Sequence, residues 1–180
     1  MTEDRFFQEL FARLPRPPGG VVVPPGDDCA AVTVPEGRLL LFAVDQVVGG
    51  RHYVAHGPAD TPPRLVGRKV LARNLSDVAA MGGTPTYCVV SAALPPQRSE
   101  GWLNEVLDGV VALAAEYGVH MIGGDLSAAP HDEVVSLAIL GEVEAARVCR
   151  RGGARAGDLL LATGRFGDSF PSGHHLSFVP

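Results

Sequence analysis

The sequence predicts an α+β protein built as one domain. Three observations lead there. Short, continuous apolar runs recur along the chain and read as buried strands. Two longer stretches repeat apolar residues at three- and four-residue spacing and read as helices. No internal repeat and no linker divides the 180 residues. The expected order is αβββαβαβββ, with strands near Ala30, Leu41, Val47, Val89, Met121, Leu137 and Leu160.

Composition narrows the function classes. Hydrophobic residues are 46% and charged residues 19%, which suits a packed core rather than a disordered chain. A formal net charge of -5 leaves no electrostatic footprint for nucleic acid. The three cysteines, Cys29, Cys88 and Cys149, lie far apart and lack zinc spacing. They read as reduced thiols of a cytoplasmic protein. The first residues are acidic and carry no apolar signal core, and no apolar run is long enough to cross a membrane.

Taken in order, Thr2 to Leu14 reads as a short helix with Phe6, Phe7, Leu10 and Phe11 on one side. Pro15 to Gly20 breaks it, and Val21–Val23 is a brief extended run. Gly26-Asp27-Asp28 then precedes an apolar strand. Adjacent carboxylates repel, unless a divalent cation sits between them and a phosphate; an ordinary Gly-Asp turn is the plainer reading. Leu39 to Val44 reads as a buried strand with Asp45 at its end. His52 follows two glycines, where it could reach a ligand or simply be exposed.

Thr61-Pro62-Pro63 is a good helix start, with Thr61 as N-cap. The helix runs to about Met81 and stops at Gly82-Gly83-Thr84-Pro85. Its face carries Val70, Asn74, Asp77 and Met81, which sets two polar groups in an apolar stripe. Asp77 either meets a cation there or pairs with Arg73 on a solvated face. Thr86 to Ala93 reads as a strand. Ser99 to Tyr117 reads as a helix with Trp102, Val106, Val110 and Leu113 inward and Gly118 at its end. His120 to Ser127 is a short strand opening into Gly123-Gly124-Asp125, with the acid at the strand's C-terminal end. Glu133 to Val143 and Leu159 to Ala162 read as further strands, joined through a basic turn at Arg150 to Asp158.

Asp28, Asp45, Asp77 and Asp125 share a setting, each beside apolar sequence at an element's end or on a helix face. Converging, they would make an oxygen-rich pocket for Mg2+, which usually binds through one or two carboxylates plus substrate phosphates. Arg151 offers a phosphate partner. The chain has no Walker loop, no kinase catalytic loop and no dinucleotide fingerprint. A nucleotide enzyme built this way holds phosphates through metal bridges and works by positioning and charge neutralisation.

In the same order, Gly26-Asp27-Asp28-Cys29-Ala30, Val44 to His52, Asn74 to Gly82 and Gly123-Gly124-Asp125 resemble the motifs of the thiamine-monophosphate kinase family. So do Arg151 to Asp158 and Thr163 to Ser169. That family belongs to the aminoimidazole ribonucleotide synthetase-like group, which also holds selenophosphate synthetase and a hydrogenase maturation protein. The helix motif is similar to that of selenophosphate synthetase too, so an enzyme of that type is an alternative; Gly123-Gly124-Asp125 favours the kinase.

The resemblance implies an aminoimidazole ribonucleotide synthetase-like N-terminal domain, a mixed and mainly antiparallel sheet against two long helices. It implies transfer of the ATP γ-phosphate to thiamine monophosphate. Asp28, Asp45, Asp77 and Asp125 would bind Mg2+; Gly124, Asp125 and Arg151 would face ATP; His52 would face the thiamine phosphate. It also implies a homodimer joined through the sheets. Residues 1–169 correspond to the ATP- and Mg2+-binding domain, and 170–180 to a tail where the family's C-terminal domain begins.

The departures are specific. Ala43-Val44 stand where the family has hydroxyl residues, Gly49 where an acidic or small residue is common, and Leu107 where an aromatic is expected near ATP. Leu126-Ser127 replace two threonines. These leave open a second class of function, a non-catalytic dimerisation or nucleotide-binding module.

Overall fold

The computed structural model describes residues 21–23, 30–34, 37–162 and 167–178. The expected helix at Thr2 to Leu14, Gly26 to Cys29 with Asp28, and Thr163 to Phe166 lie outside the described residues.

Six strands form one sheet. They are β1 (Val21–Val23), β2 (Ala30–Thr33), β3 (Arg38–Val48), β4 (Thr84–Leu94), β5 (His120–Ala128) and β6 (Val134–Glu144), in spatial order β1-β2-β3-β6-β4-β5. Every neighbouring pair is antiparallel except β4 and β5, which run parallel across a helical connection. Two helices, α1 (Pro63–Ala80) and α2 (Glu100–Tyr117), cover one face. The chain is thus α+β, as the sequence pattern predicts, with the mixed, mainly antiparallel sheet that the resemblance implies.

Strand alternation decides what faces the helices. Leu39, Leu41 and Val47 of β3 and Val135, Leu137, Ile139 and Val143 of β6 are buried against Val66, Val70, Leu71 and Val78 of α1. No described element covers the opposite face, where Phe42, Val44, Tyr87 and Val89 are exposed. The helices pack closely because each has a glycine at the crossing. A Cβ on Gly67 would lie 1.9 Å from the Val106 carbonyl oxygen, and one on Gly109 would lie 2.0 Å from that of Arg64.

The ends of α2 follow the sequence. Ser99 caps it by accepting from the Trp102 N–H at 3.1 Å, and Gly118 closes it in the left-handed conformation. α1 corrects one expectation. Pro62, not Thr61, holds the N-cap position, with no side-chain cap bond. Thr61 is buried, and its N–H donates to the Val54 carbonyl at 2.9 Å, which ties the preceding loop instead.

Three strand boundaries also differ. Leu39 to Val44 and the run at Val47 are one eleven-residue strand, so Asp45 lies within β3 rather than at its end. The pairing with β6, unbroken from Arg38 to Val48, holds it straight. Gly123-Gly124-Asp125 lies inside β5 and is no turn. The parallel ladder to β4 continues through it, and a Cβ on Gly124 would stand 2.3 Å from the Val90 carbonyl oxygen. Leu159 to Ala162 is not a strand. Leu159, Leu160 and Leu161 are at least 85% exposed, with no neighbouring strand to pair with among the described residues.

A buried charge network closes one end of the sheet. Glu133 is fully buried and accepts from the Tyr53 hydroxyl at 3.2 Å and from Arg98 Nη2 at 2.6 Å. Arg98 also pairs with Asp60 at 2.6 Å and lies over the Trp102 ring. His56 Nε2 stands 3.2 Å from the other Glu133 oxygen. The bonds from Arg98 hold the Asp60 carboxyl below the usual range. Burial, with the Glu133 charge, pushes the Tyr53 hydroxyl well up. Three loops are fastened here by one carboxylate.

Candidate functional site

One side of α1 carries Lys69, Arg73 and Asp77 at four-residue spacing, one above another, the lysine buried and the other two half-buried. β3 runs beneath them. By strand alternation Asp45 shares the helix-facing side with Leu41 and Val47, and its Oδ2 receives the Arg73 Nε–H. Its Oδ1 accepts the Gln46 N–H at 2.7 Å, so both oxygens are oriented. Asp77, half-buried, stands one turn beyond Arg73.

His52 enters from the turn after β3. Its Nδ1 accepts the Val48 N–H at 3.0 Å, which places the neutral ring's proton on Nε2. Burial first, and then the charges of Arg73 and Lys69, lower its proton affinity. Gly49, one of the departures, sits under Glu133: a Cβ there would lie 2.5 Å from Oε1. The buried network thus excludes any side chain from that position and fixes the turn that presents His52.

Asp45, Asp77 and His52 therefore share one side of the sheet. Asp125 does not join them within this chain. It is level with Ser91 on β4, on the uncovered face, and three strand spacings, ~14 Å of sheet, separate β5 from β3. Among the described residues no three acidic, histidine or cysteine side chains gather around one point. Asp125 instead borders two hollows. One, of about 300 Å³, lies between α2 and β5 and is lined by Leu103, Leu107, Met121 and Gly123 to Leu126. The other, of about 360 Å³, lies on the open face with Val44, Val89, Ser91 and Ser136. Gly124 touches both. Arg151 lies in a short 3-10 turn, in a loop pinned to the end of α1 by the Cys149 N–H on the Met81 carbonyl at 3.1 Å.

Sequence reasoning missed two participants. Lys69 is one, a buried cation one turn before Arg73; its place at i−4 from Arg73 and i−8 from Asp77 is the signal that was there to read. His175 is the other. It reaches Lys69 from a stretch without periodicity, and nothing local in the sequence announces it.

The arrangement is an oriented carboxylate, a second carboxylate on the same stripe and flanking cations. That is a surface for anionic ligands bridged by a hard cation. The chain belongs to the family described as AIR synthase related protein, N-terminal domain, whose model matches residues 26–143.

Several thiamine-monophosphate kinases resemble the chain over that domain. Over 142 residues it is 40% identical to the thiamine-monophosphate kinase of Synechococcus elongatus, covering 79% of this chain and 42% of that protein. Over 144 residues it is 38% identical to the Salmonella typhimurium thiamine-monophosphate kinase, covering 80% and 42%. Among solved structures, AaThiL complexed with AMPPCP and TMP matches with a TM-score of 0.70 at 28% identity, covering 86% of this chain and 44% of that one. The chain thus spans less than half the length of these relatives. No helix of the described residues is long and apolar enough to cross a membrane.

Proposed function

We propose that this chain is the metal- and nucleotide-holding part of a thiamine-monophosphate kinase, which moves the γ-phosphate of ATP to thiamine monophosphate. The observation that carries the reading is the set Asp45, Arg73 and Asp77 on one side of α1 and β3, inside a domain 40% identical to such a kinase.

The donor chemistry fits Mg2+. Carboxylate oxygens are hard ligands, and Mg2+ needs only one or two of them beside substrate phosphates and water, so no closed protein cage is required. Asp45 and Asp77, with Asp28, would hold it, and when bound it supplies charge neutralisation for the phosphoryl group; Asp125, on the other face of the sheet, would reach such an ion only across two joined copies. The chain's own groups do the positioning. Arg73 and the Gln46 N–H orient the two Asp45 oxygens. His52, kept neutral by burial and neighbouring cations, offers Nε2–H to the substrate phosphate. Gly124, Asp125 and Arg151 turn to ATP, and the apolar groove at Leu107 accommodates the base. Two copies join through the open sheet face, where Phe42, Val44, Tyr87 and Val89 are exposed. The place of work is the cytoplasm, in keeping with Cys149, a free thiol.

The test is thiamine diphosphate formation by the purified protein with Mg2+, ATP and thiamine monophosphate. Product that disappears in Asp77→Asn is expected. Absence of both product and Mg2+-dependent ATP binding would overturn the reading. A second reading, a nucleotide-binding module without turnover, draws on Val44. It is 70% exposed on the open face, at a position where the family carries a hydroxyl. ATP binding without product would select it.

A further inference from the structure

Lys69 is anomalous among the charges of this fold. It is only 7% exposed, yet none of the ion pairs among the described residues gives it a carboxylate. Its ammonium reaches two neutral acceptors, the His52 carbonyl and His175 Nδ1, the latter at 2.6 Å. An ammonium has three donors, so one remains. The charge beside it is Arg73, of the same sign, and the Asp45 carboxylate is already paired with Arg73. A buried cation without a counter-ion is disfavoured, and a well-placed anion offsets part of that penalty.

The group seated on Lys69 comes from far along the chain. His175 lies in the 3-10 turn His174–Leu176. Its ring stacks on Phe170 at 4.4 Å between centroids, and its backbone N–H donates to the Ser169 carbonyl at 3.0 Å. Three residues on, the Phe178 carbonyl accepts from Arg68 Nη1 at 2.8 Å. Residues 167–178 thus form a strap laid on the basic side of α1, held by two cations through an imidazole and a carbonyl. Both are neutral acceptors and weaker partners for a cation than a phosphate oxygen. Burial and then Lys69 itself disfavour protonation of His175, so the ring serves as acceptor.

We propose that Lys69 is the principal cation of a phosphate-ester site on α1, and that His175 occupies that site as an internal stand-in which a bound phosphate displaces. The site's donors are the Lys69 ammonium and His52 Nε2–H, with Arg73 contributing charge. This deepens the reading of His52 as the residue facing the substrate phosphate, and rests on it for which phosphate is bound. It makes Lys69 the residue that holds the acceptor's phosphate, and the strap a cover that must lift for binding.

The test uses the whole chain and inorganic phosphate, with chloride at equal ionic strength as control. Binding is followed by calorimetry and by the imidazole nitrogen resonances of His175. Saturating phosphate is expected to move the His175 Nδ1 signal as its bond to Lys69 breaks. Lys69→Met is expected to weaken phosphate at least tenfold. His175→Ala is expected to tighten it severalfold, because a competing state is removed. Phosphate affinity within twofold of wild type in Lys69→Met, or unmoved His175 signals at saturation, would overturn the proposal. Should Lys69→Met fail to fold, the wild-type spectra and His175→Ala decide alone, since neither alters a buried residue. Thiamine diphosphate formation is read separately. Phosphate binding that depends on Lys69, with neither turnover nor Mg2+-dependent ATP binding, would sink the kinase reading and leave this site. Turnover with Lys69-independent phosphate binding would do the reverse.

Discussion

The helix that carries the basic and acidic stripe, α1, crosses α2 closely, and the crossing can be tested with one methyl group. In Gly67→Ala the new carbon would start 1.9 Å from the Val106 carbonyl oxygen, 2.8 Å from its carbon and 3.0 Å from the Val110 nitrogen. All three are backbone atoms, so no rotamer change relieves the overlap and the helices must part. Overpacking of this kind costs about 3 kcal/mol, at the upper end of its usual range. Alanine's better helix propensity returns ~1 kcal/mol. The net loss is about 2 kcal/mol, a fall of roughly 4–8 °C in Tm for a chain of this size. Gly101→Ala is the internal control. It lies in the first turn of α2, and its Cβ would meet only Ser99 Oγ at an ordinary 3.6 Å. There the same substitution gains up to ~1 kcal/mol and raises Tm by a few degrees. Thermal unfolding by circular dichroism reads both. Gly67→Ala as stable as Gly101→Ala would refute the close crossing of the two helices.

Two further outcomes follow from buried charges. Glu133→Gln leaves Arg98 with Asp60 alone and is expected to cost ~3 kcal/mol, read as a lowered urea midpoint at constant m-value. An unchanged midpoint would show that the three loops do not depend on it. Burial, helped by Arg73, pulls the Lys69 ammonium down to about 8 from 10.5. Between those values the unfolded chain holds the extra proton, so this group adds stability as pH rises from about 8 to 10.5; below about 8 its penalty is fully present. The advantage of Lys69→Met over wild type is therefore expected to shrink by up to ~3 kcal/mol across that window, measured as the difference between their urea midpoints. A difference that does not vary with pH would contradict the buried, unpaired charge.

How much was legible in the sequence depends on how local the cause was. The two helices announce themselves, because Ser99 caps one, Gly118 ends it, and apolar spacing selects Trp102, Val106 and Val110 for the core. Asp45 was found as a site residue but placed at a strand end; only the long pairing with β6, fixed by tertiary contact, carries β3 past it. Gly123 and Gly124 look like a turn by composition. They lie within an edge strand because the parallel ladder to β4 admits no side chain at Gly124. The four aspartates share a sequence setting, yet the sheet order separates Asp125 from Asp45, and a strand order with β6 inserted is not written in any local pattern. Lys69 and His175 meet across 106 positions, and no periodicity connects them. Leu159 to Leu161 look like a strand because they are apolar, but a strand needs a neighbour to pair with.

A nucleotide held through metal-bridged carboxylates is tested most directly by equilibrium ATP binding to the full 180-residue chain, with and without Mg2+, in wild type and in Asp45→Asn. The expected result is binding that requires Mg2+ and weakens at least tenfold in the variant. ATP bound equally well in the presence of a chelator, or equally well by Asp45→Asn, would contradict it.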